Sequence, residues 1–313
     1  CAEHPFFTYD DWSIGMTPMD KGVPQEYKSL SLKFHYNDIA SLEKLFNEHP
    51  GDIAAVMLEP ATFVSPCAGD GKLIPEPKAC ASPDLNFLFQ VQALCKKHGA
   101  VFILDEMITG FRWDLHGAMK VYGIEPDLAT FGKGMANGFA LAALIGKREI
   151  MDLGGIRKEG AERVFLISTT HGSEMSAFGA FIKTVEVYRK LQVTDHLWAY
   201  GRKLISGLNS IASGLGIESH FSAEGFACSP YYFTRDAEGA VSLAFRTLFA
   251  QEMIKGGVLI PWVALSYAHG DAELKLTLDA AEKALGIYKK ALSEGIEKHL
   301  VGPVIKPVFR KYN

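Results

Sequence analysis

The stretch AVFILDEMITGF, residues 100–111, carries four apolar residues, Val101 to Leu104, straight into Asp105 and Glu106. A short, unbroken apolar run suits a strand buried on both faces of a parallel sheet. Its carboxyl end would then deliver the two acids to the sheet edge, where open α/β sheets bind ligands. Such acids can hold a magnesium ion beside a phosphate chain. The first can hold the nitrogen of a heterocycle. Or they can end a core strand in a solvated loop and do no chemistry.

The flanking sequence supports the strand. Upstream, DIAAVMLEP (52–60) is nearly all apolar and reads as another buried strand, stopped by Pro60. Residues 61–84 are rich in Pro, Gly, Ala and Cys without a period, which predicts a long loop. In SPDLNFLFQVQALCKKHGA, Ser82 is expected to cap a helix with Pro83 at its first position. Leu85, Leu88, Val91, Leu94 and Cys95 share one face, and Gly99 ends the helix. Strand, helix and strand in that order make a βαβ unit.

Downstream, DLATFGK (127–133) predicts a second short buried strand, ending in glycine and lysine. ALAALIGKREIM (140–151) predicts a third, followed by a helix, and SEMSAFGAFIKTVEVYRKL (173–191) a long helix. Past about residue 195 the pattern changes to amphipathic helices around a strand-like FACSPYYFTR, which reads as a smaller α+β domain. The expected division is therefore 1–195 and 196–313.

Composition narrows the function classes. With 313 residues the chain can fill a large domain and a smaller one. A net charge of −4 gives no reason to expect nucleic acid or an anionic membrane as a partner. No apolar run approaches the roughly 20 residues of a membrane helix. The five cysteines, Cys1, Cys67, Cys80, Cys95 and Cys228, form no CxxC pair and no metal spacing. An odd count in a chain this size predicts reduced thiols and a cytoplasmic location.

The magnesium alternative for Asp105 and Glu106 needs a phosphate loop, G-x-x-x-x-G-K-[ST]. The glycine-lysine pairs Gly71-Lys72, Gly132-Lys133 and Gly146-Lys147 lack both the earlier glycine and the following hydroxyl. An ATPase domain would need that loop outside this chain. The heterocycle alternative has its parts here. A pyridoxal phosphate (PLP) enzyme needs an acid at the pyridine nitrogen and a lysine to form a Schiff base with the aldehyde. Asp105 ends one strand and Lys133 follows the next. If those strands are neighbours, both groups emerge at one edge. Lys147 is a rival lysine, but GKREIM places it at the start of a charged helix.

ILDEMITGFR, PDLATFGKGMANGFALAALIGKREIM and TTHGSEMSAFGA, in that order, resemble the class-III PLP-dependent aminotransferases. DE-x-x-TGFR is similar to the glutamate-1-semialdehyde aminomutase-like branch. The resemblance implies the PLP fold-type-I, a mostly parallel α/β sheet flanked by helices, with a smaller C-terminal domain. It implies amino-group transfer between small amino and carbonyl compounds, as an aminotransferase or an aminomutase. By the family's pattern Lys133 is the Schiff-base lysine and Asp105 the partner of the pyridine nitrogen. Met107 stands where an apolar residue packs against the ring, and Phe6 or Phe7 near an aromatic that stacks on its other face. Thr170 matches a threonine that donates to the cofactor phosphate of a neighbouring subunit, which implies a homodimer with shared sites. Glu59 and His171 are candidates for facing the substrate. Glu106 is expected to support its loop rather than to do chemistry.

Several positions depart from the family. Met107 replaces a more common valine, and THGSEM, with Glu174 and Met175, replaces the usual Gly-Asn-Pro. The family also carries a further segment before the position of Cys1, with a glycine-rich loop that grips the cofactor phosphate. The chain is therefore expected to be incomplete at its N-terminus, and the alternative function is a non-catalytic piece of such an enzyme.

Overall fold

The structure, a computed structural model, describes residues 18–61, 64–67, 85–155, 159–160, 162 and 174–312. The backbone divides into two compact units, Cys1–Leu191 with Phe309–Asn313, and Gln192–Val308. Among the described residues, no helix is long and apolar enough to cross a membrane.

In chain order the first unit contains α1 (Gln25–Ser29), α2 (Ile39–Glu48), β1 (Ala55–Leu58), α3 (Phe87–His98) and β2 (Val101–Asp105). There follow α4 (Ala118–Tyr122), β3 (Leu128–Phe131), β4 (Ala143–Gly146), α5 (Arg148–Met151) and α6 (Met175–Leu191). The four strands form one sheet in the order β1-β2-β3-β4. β1, β2 and β3 run parallel, and β4 returns antiparallel along β3. Phe102 and Leu104 of β2 are fully buried, as an apolar run between two neighbours requires.

Helix α3 closes the βαβ unit with Leu88, Val91, Leu94 and Cys95 on its buried face. It starts later than the sequence suggests. Asn86, not Ser82, is the cap: its Oδ1 accepts from the Leu88 N–H at 2.9 Å. The Phe87 N–H donates to the Pro66 carbonyl at 2.7 Å, so an incoming loop strand takes the place of another helical turn. Leu85 accordingly lies outside the helix and is exposed. Ser82 and Pro83 lie outside the described residues. Gly99 ends α3 in the left-handed conformation, φ 73°.

The thiols also need a correction. Cys67 is disulfide-bonded, against the expectation of reduced cysteines throughout. Its partner lies outside the described residues. Cys95 and Cys228 are buried and lie outside any disulfide. Burial, reinforced by the charge of Asp127, pushes the Cys95 thiol up to about 12. Neither buried thiol is expected to react with Ellman's reagent in the folded chain, and both should react once it is denatured; rapid labelling of Cys95 in buffer would contradict its packing.

The second unit contains α7 (Val193–Gly214), β5 (Phe221–Phe226), β6 (Ser229–Thr234), α8 (Leu243–Lys255) and α9 (Asp271–Glu294). β5 and β6 form an antiparallel hairpin, whose register runs from Phe221 opposite Thr234 to Phe226 opposite Ser229. Only the second of these strands is apparent from sequence, since Ser222, Glu224 and Gly225 break up the apolar run of the first. Phe221, Tyr232, Phe249 and Tyr288 pack ring against ring between hairpin and helices.

Candidate active site

Three strands deliver their carboxyl ends to one edge of the sheet. Asp105, the last residue of β2, is 3 % exposed. It pairs in register with Thr130 of β3. Its Oδ1 accepts from the Met107 N–H at 2.9 Å and from Thr130 Oγ1 at 3.1 Å. Those two bonds fix the carboxyl group's orientation at the strand end. Thr130 escapes a sequence reading because its relevance lies in cross-strand register; the available signal is its place three residues before Lys133.

Lys133 lies two residues beyond β3 and opens a single 3-10 turn, Lys133–Met135. Its φ of 46° is left-handed, a conformation that costs a non-glycine residue of order 1 kcal/mol or more and tends to mark functional turns. Its side chain is exposed, and it makes no hydrogen bond or ion pair among the described residues. Gly132 before it adopts extended backbone, and its missing side chain leaves room for Met107: a Cβ there would lie 2.4 Å from the Met107 methyl carbon.

Lys147 has a different situation. Its Nζ pairs with Asp127 Oδ1 at 2.5 Å, while Asp127 Oδ2 accepts from the Phe102 N–H at 2.7 Å. Gly146 lies opposite Leu128, so this pair sits at the amino end of β3, away from Asp105 and Lys133. Burial alone would raise the Asp127 carboxyl, but the hydrogen bonds from Lys147 and Phe102 and the lysine's charge outweigh it and hold it below its usual value.

Glu106, the residue after β2, has partners different from those of Asp105. It is fully buried. Its Oε2 accepts from the Ala118 N–H at 2.8 Å and its Oε1 from the Met119 N–H at 2.7 Å, at the first turn of α4. The Thr109 hydroxyl donates to Oε2 as well. Burial pushes its carboxyl above the usual range, with these hydrogen bonds acting in the opposite sense. The two acids therefore do not converge on one ion. Among the described residues, no group of three or more His, Cys, Asp or Glu side chains could hold a metal.

Glu59 directly follows β1 and is half-buried near Tyr36, whose hydroxyl is raised by burial and by the charges of Tyr122 and Glu59. The Tyr36 hydroxyl donates to the Pro60 carbonyl at 2.6 Å, which ties down the chain as it leaves β1. Phe6, Phe7, Thr170 and His171 lie outside the described residues.

The sequence matches the class-III aminotransferase family over residues 11–229. It is 30 % identical over 294 residues to 3-aminobutyryl-CoA aminotransferase of Cloacimonas acidaminovorans, covering 93 % of this chain and 66 % of that protein. It is 34 % identical over 276 residues to glutamate-1-semialdehyde 2,1-aminomutase of Nitrosospira multiformis, covering 85 % of this chain and 61 % of that one. Among solved structures, the FumI protein of Sphingopyxis sp. MTA144, in its PLP internal aldimine form, superposes with a TM-score of 0.74 at 27 % identity, over 91 % of this chain and 64 % of that chain. The chain thus spans somewhat under two thirds of the length of these relatives. Its mostly parallel sheet with flanking helices is the fold-type-I α/β arrangement. On the extent of the family match, the chain belongs to the class-III aminotransferases.

Proposed function

We propose that this chain serves PLP-dependent amino-group transfer between a small amino compound and a carbonyl compound, with Lys133 and Asp105 as its catalytic pair. One observation carries the reading: a buried carboxylate and an amine without a partner among the described residues leave neighbouring parallel strands at the same edge. The residues present fit the cofactor. Asp105 offers an oriented carboxyl group suited to a cationic ring nitrogen, Lys133 an accessible amine suited to an aldehyde, and Met107 an apolar surface beside Gly132.

When bound, pyridoxal phosphate supplies an electron sink for the pair left at the substrate's amino-bearing carbon. Asp105 would hold the proton on the ring nitrogen; each pKa unit of that preference is worth about 1.4 kcal/mol. Lys133 would hold the cofactor at its aldehyde carbon through Nζ, and, once released, move a proton through the same atom. Thr170, and Phe6 or Phe7, would add phosphate and ring contacts, Thr170 to a second copy in a homodimer. Glu59 and His171 are candidates on the substrate side. The unit containing these residues would be the cofactor-binding domain, about 1–195, and the remainder, 196–313, the smaller domain. Whether transfer runs between two molecules or between adjacent carbons of one depends on substrate contacts rather than on this pair.

The direct test is to add PLP to the purified chain, reduce with borohydride and map the adduct. A single adduct on the peptide containing Lys133 is expected. No adduct, or labelling spread over exposed lysines, would favour a cofactor-free piece of such an enzyme.

Asp105→Asn should leave the fold intact, because the amide oxygen can still accept from Met107 and Thr130. It removes the charge, and single-turnover amino transfer should fall about 100-fold. Unchanged turnover would remove Asp105 from the mechanism.

A further inference from the structure

We propose that Glu106 is a positioning residue, a carboxylate that meets neither substrate nor cofactor but fixes where Asp105 and Lys133 stand. This rests on the reading of those two residues given above. Glu106 follows Asp105 directly, and its N–H donates to the Thr130 carbonyl at 2.9 Å, one more rung beyond the end of β2. Its side chain then reaches across the loop to α4. That helix has only five residues, so the Ala118 and Met119 N–H groups at its start have no partner within the helix. The carboxylate takes both, and the Thr109 hydroxyl with them.

The fit admits little movement. Gly117 adopts φ +86°, and a Cβ there would lie 2.5 Å from the Glu106 carboxyl carbon. The Glu106 carbonyl accepts from the Gly110 N–H at 2.8 Å. A Cβ on Gly110 would meet that same carbonyl at 2.7 Å and the Phe131 ring at 2.5 Å. One residue therefore gathers both ends of the segment 106–119.

That segment carries Phe111, held at a left-handed φ of 62°. The Phe111 ring meets Phe131, Phe181 and Tyr188 edge to face, with centroids 5.7–6.3 Å apart. Its own Cβ lies 3.4 Å from the place a Cβ would occupy on Gly134, the residue after Lys133. Glu106 thus bears on Asp105 through one peptide bond and on the Lys133 turn through Phe111. Apolar packing could fill the same space at lower desolvation cost. Three convergent donors add direction, which apolar contacts lack.

The test compares the full chain with Glu106→Gln and with Thr109→Val. Glutamine keeps the size but turns an NH2 group toward the donors. The readout is amide exchange at Met107, whose N–H orients Asp105. In Glu106→Gln it should exchange about tenfold faster, with α3 and β1 amides unchanged. Thr109→Val, which deletes one donor of three, should give a smaller change in the same direction. In the PLP-loaded chain, the pH midpoint of the bound cofactor's absorbance should also move by about half a unit or more in Glu106→Gln. An unaltered Met107 rate, acceleration shared by the whole first unit, or an unaltered midpoint would overturn the proposal. If the unaltered chain captures no cofactor, the reading of Lys133 fails, and Met107 exchange still decides the role of Glu106.

Discussion

Lys133→Ala is expected to abolish covalent capture of pyridoxal phosphate and to lower amino transfer at least about a thousandfold, whereas Lys147→Ala leaves both unchanged. The two lysines each follow a glycine near the end of a short strand, and composition alone does not separate them. Their surroundings do. Lys147 sits at the amino end of β3 and is paired with Asp127, whose hydrogen bond and charge raise it above its usual value and make it a poorer nucleophile. Lys133 sits at the carboxyl end, without an ion pair among the described residues, in a left-handed turn beside the strand that carries Asp105. On the proposed roles, losing the amine would remove both the covalent hold and the proton carrier, and a positioned proton carrier alone is worth roughly two to four orders of magnitude. The measurement is borohydride trapping with peptide mapping, alongside single-turnover transfer. Trapping on another lysine in Lys133→Ala, at the rate of the unaltered chain, would mean that the pairing with Asp105 is incidental. Exogenous methylamine offers a further check, since a small amine can enter the space left by the side chain and restore part of the proton transfer but not the covalent link.

The contrast between the lysines shows what the sequence could disclose. The apolar run into Asp105 and the Gly-Lys after the next run are local patterns, and parallel pairing of the two strands brings them to one edge. The helix between β1 and β2 was legible for the same reason, apart from its start. Ser82-Pro83 offers a capping hydroxyl and a proline at the first helical position, but the segment ending at Cys67 bridges Asn86 and supplies the Pro66 carbonyl to Phe87, a long-range contact with no local signal. Glu106 illustrates the same limit. Support of its loop was the expectation, yet its partners Ala118 and Met119 are twelve and thirteen residues away and donate through backbone atoms, which side-chain identity does not reveal. Phe111 adopts a backbone conformation that its residue type disfavours, held by rings from β3 and α6. In each case tertiary contact overrides local preference.

Glycine inside the helices of the second unit puts that conflict to a quantitative test. Gly201→Ala in α7 is expected to destabilise the second unit by roughly 3 kcal/mol or more, while Gly286→Ala in α9 stabilises it by up to about 1 kcal/mol. Helix propensity assigns both substitutions the same favourable sign, because alanine loses less backbone freedom than glycine on folding. The surroundings separate them. A Cβ on Gly286 would meet nothing within 4 Å, so propensity acts alone. A Cβ on Gly201 would fall 1.6 Å from the Ala227 carbonyl oxygen and 2.6 Å from its carbon. Ala227 and Cys228 are the two residues that turn β5 into β6, and both are buried. Neither helix nor turn can yield by a side-chain rotation, since the clash is backbone against Cβ. Relief requires α7 to lift off the hairpin by more than an ångström, which opens the packing of Leu197 and Leu204 behind it. Overpacking of a core already costs about 1–3 kcal/mol when side chains can adjust, and here they cannot. Urea unfolding followed through amide exchange in β5 and β6 reads the second unit by itself. If Gly201→Ala raises its midpoint as Gly286→Ala does, α7 does not cross the hairpin turn at the distance described, and the close approach of that helix to Ala227 is wrong.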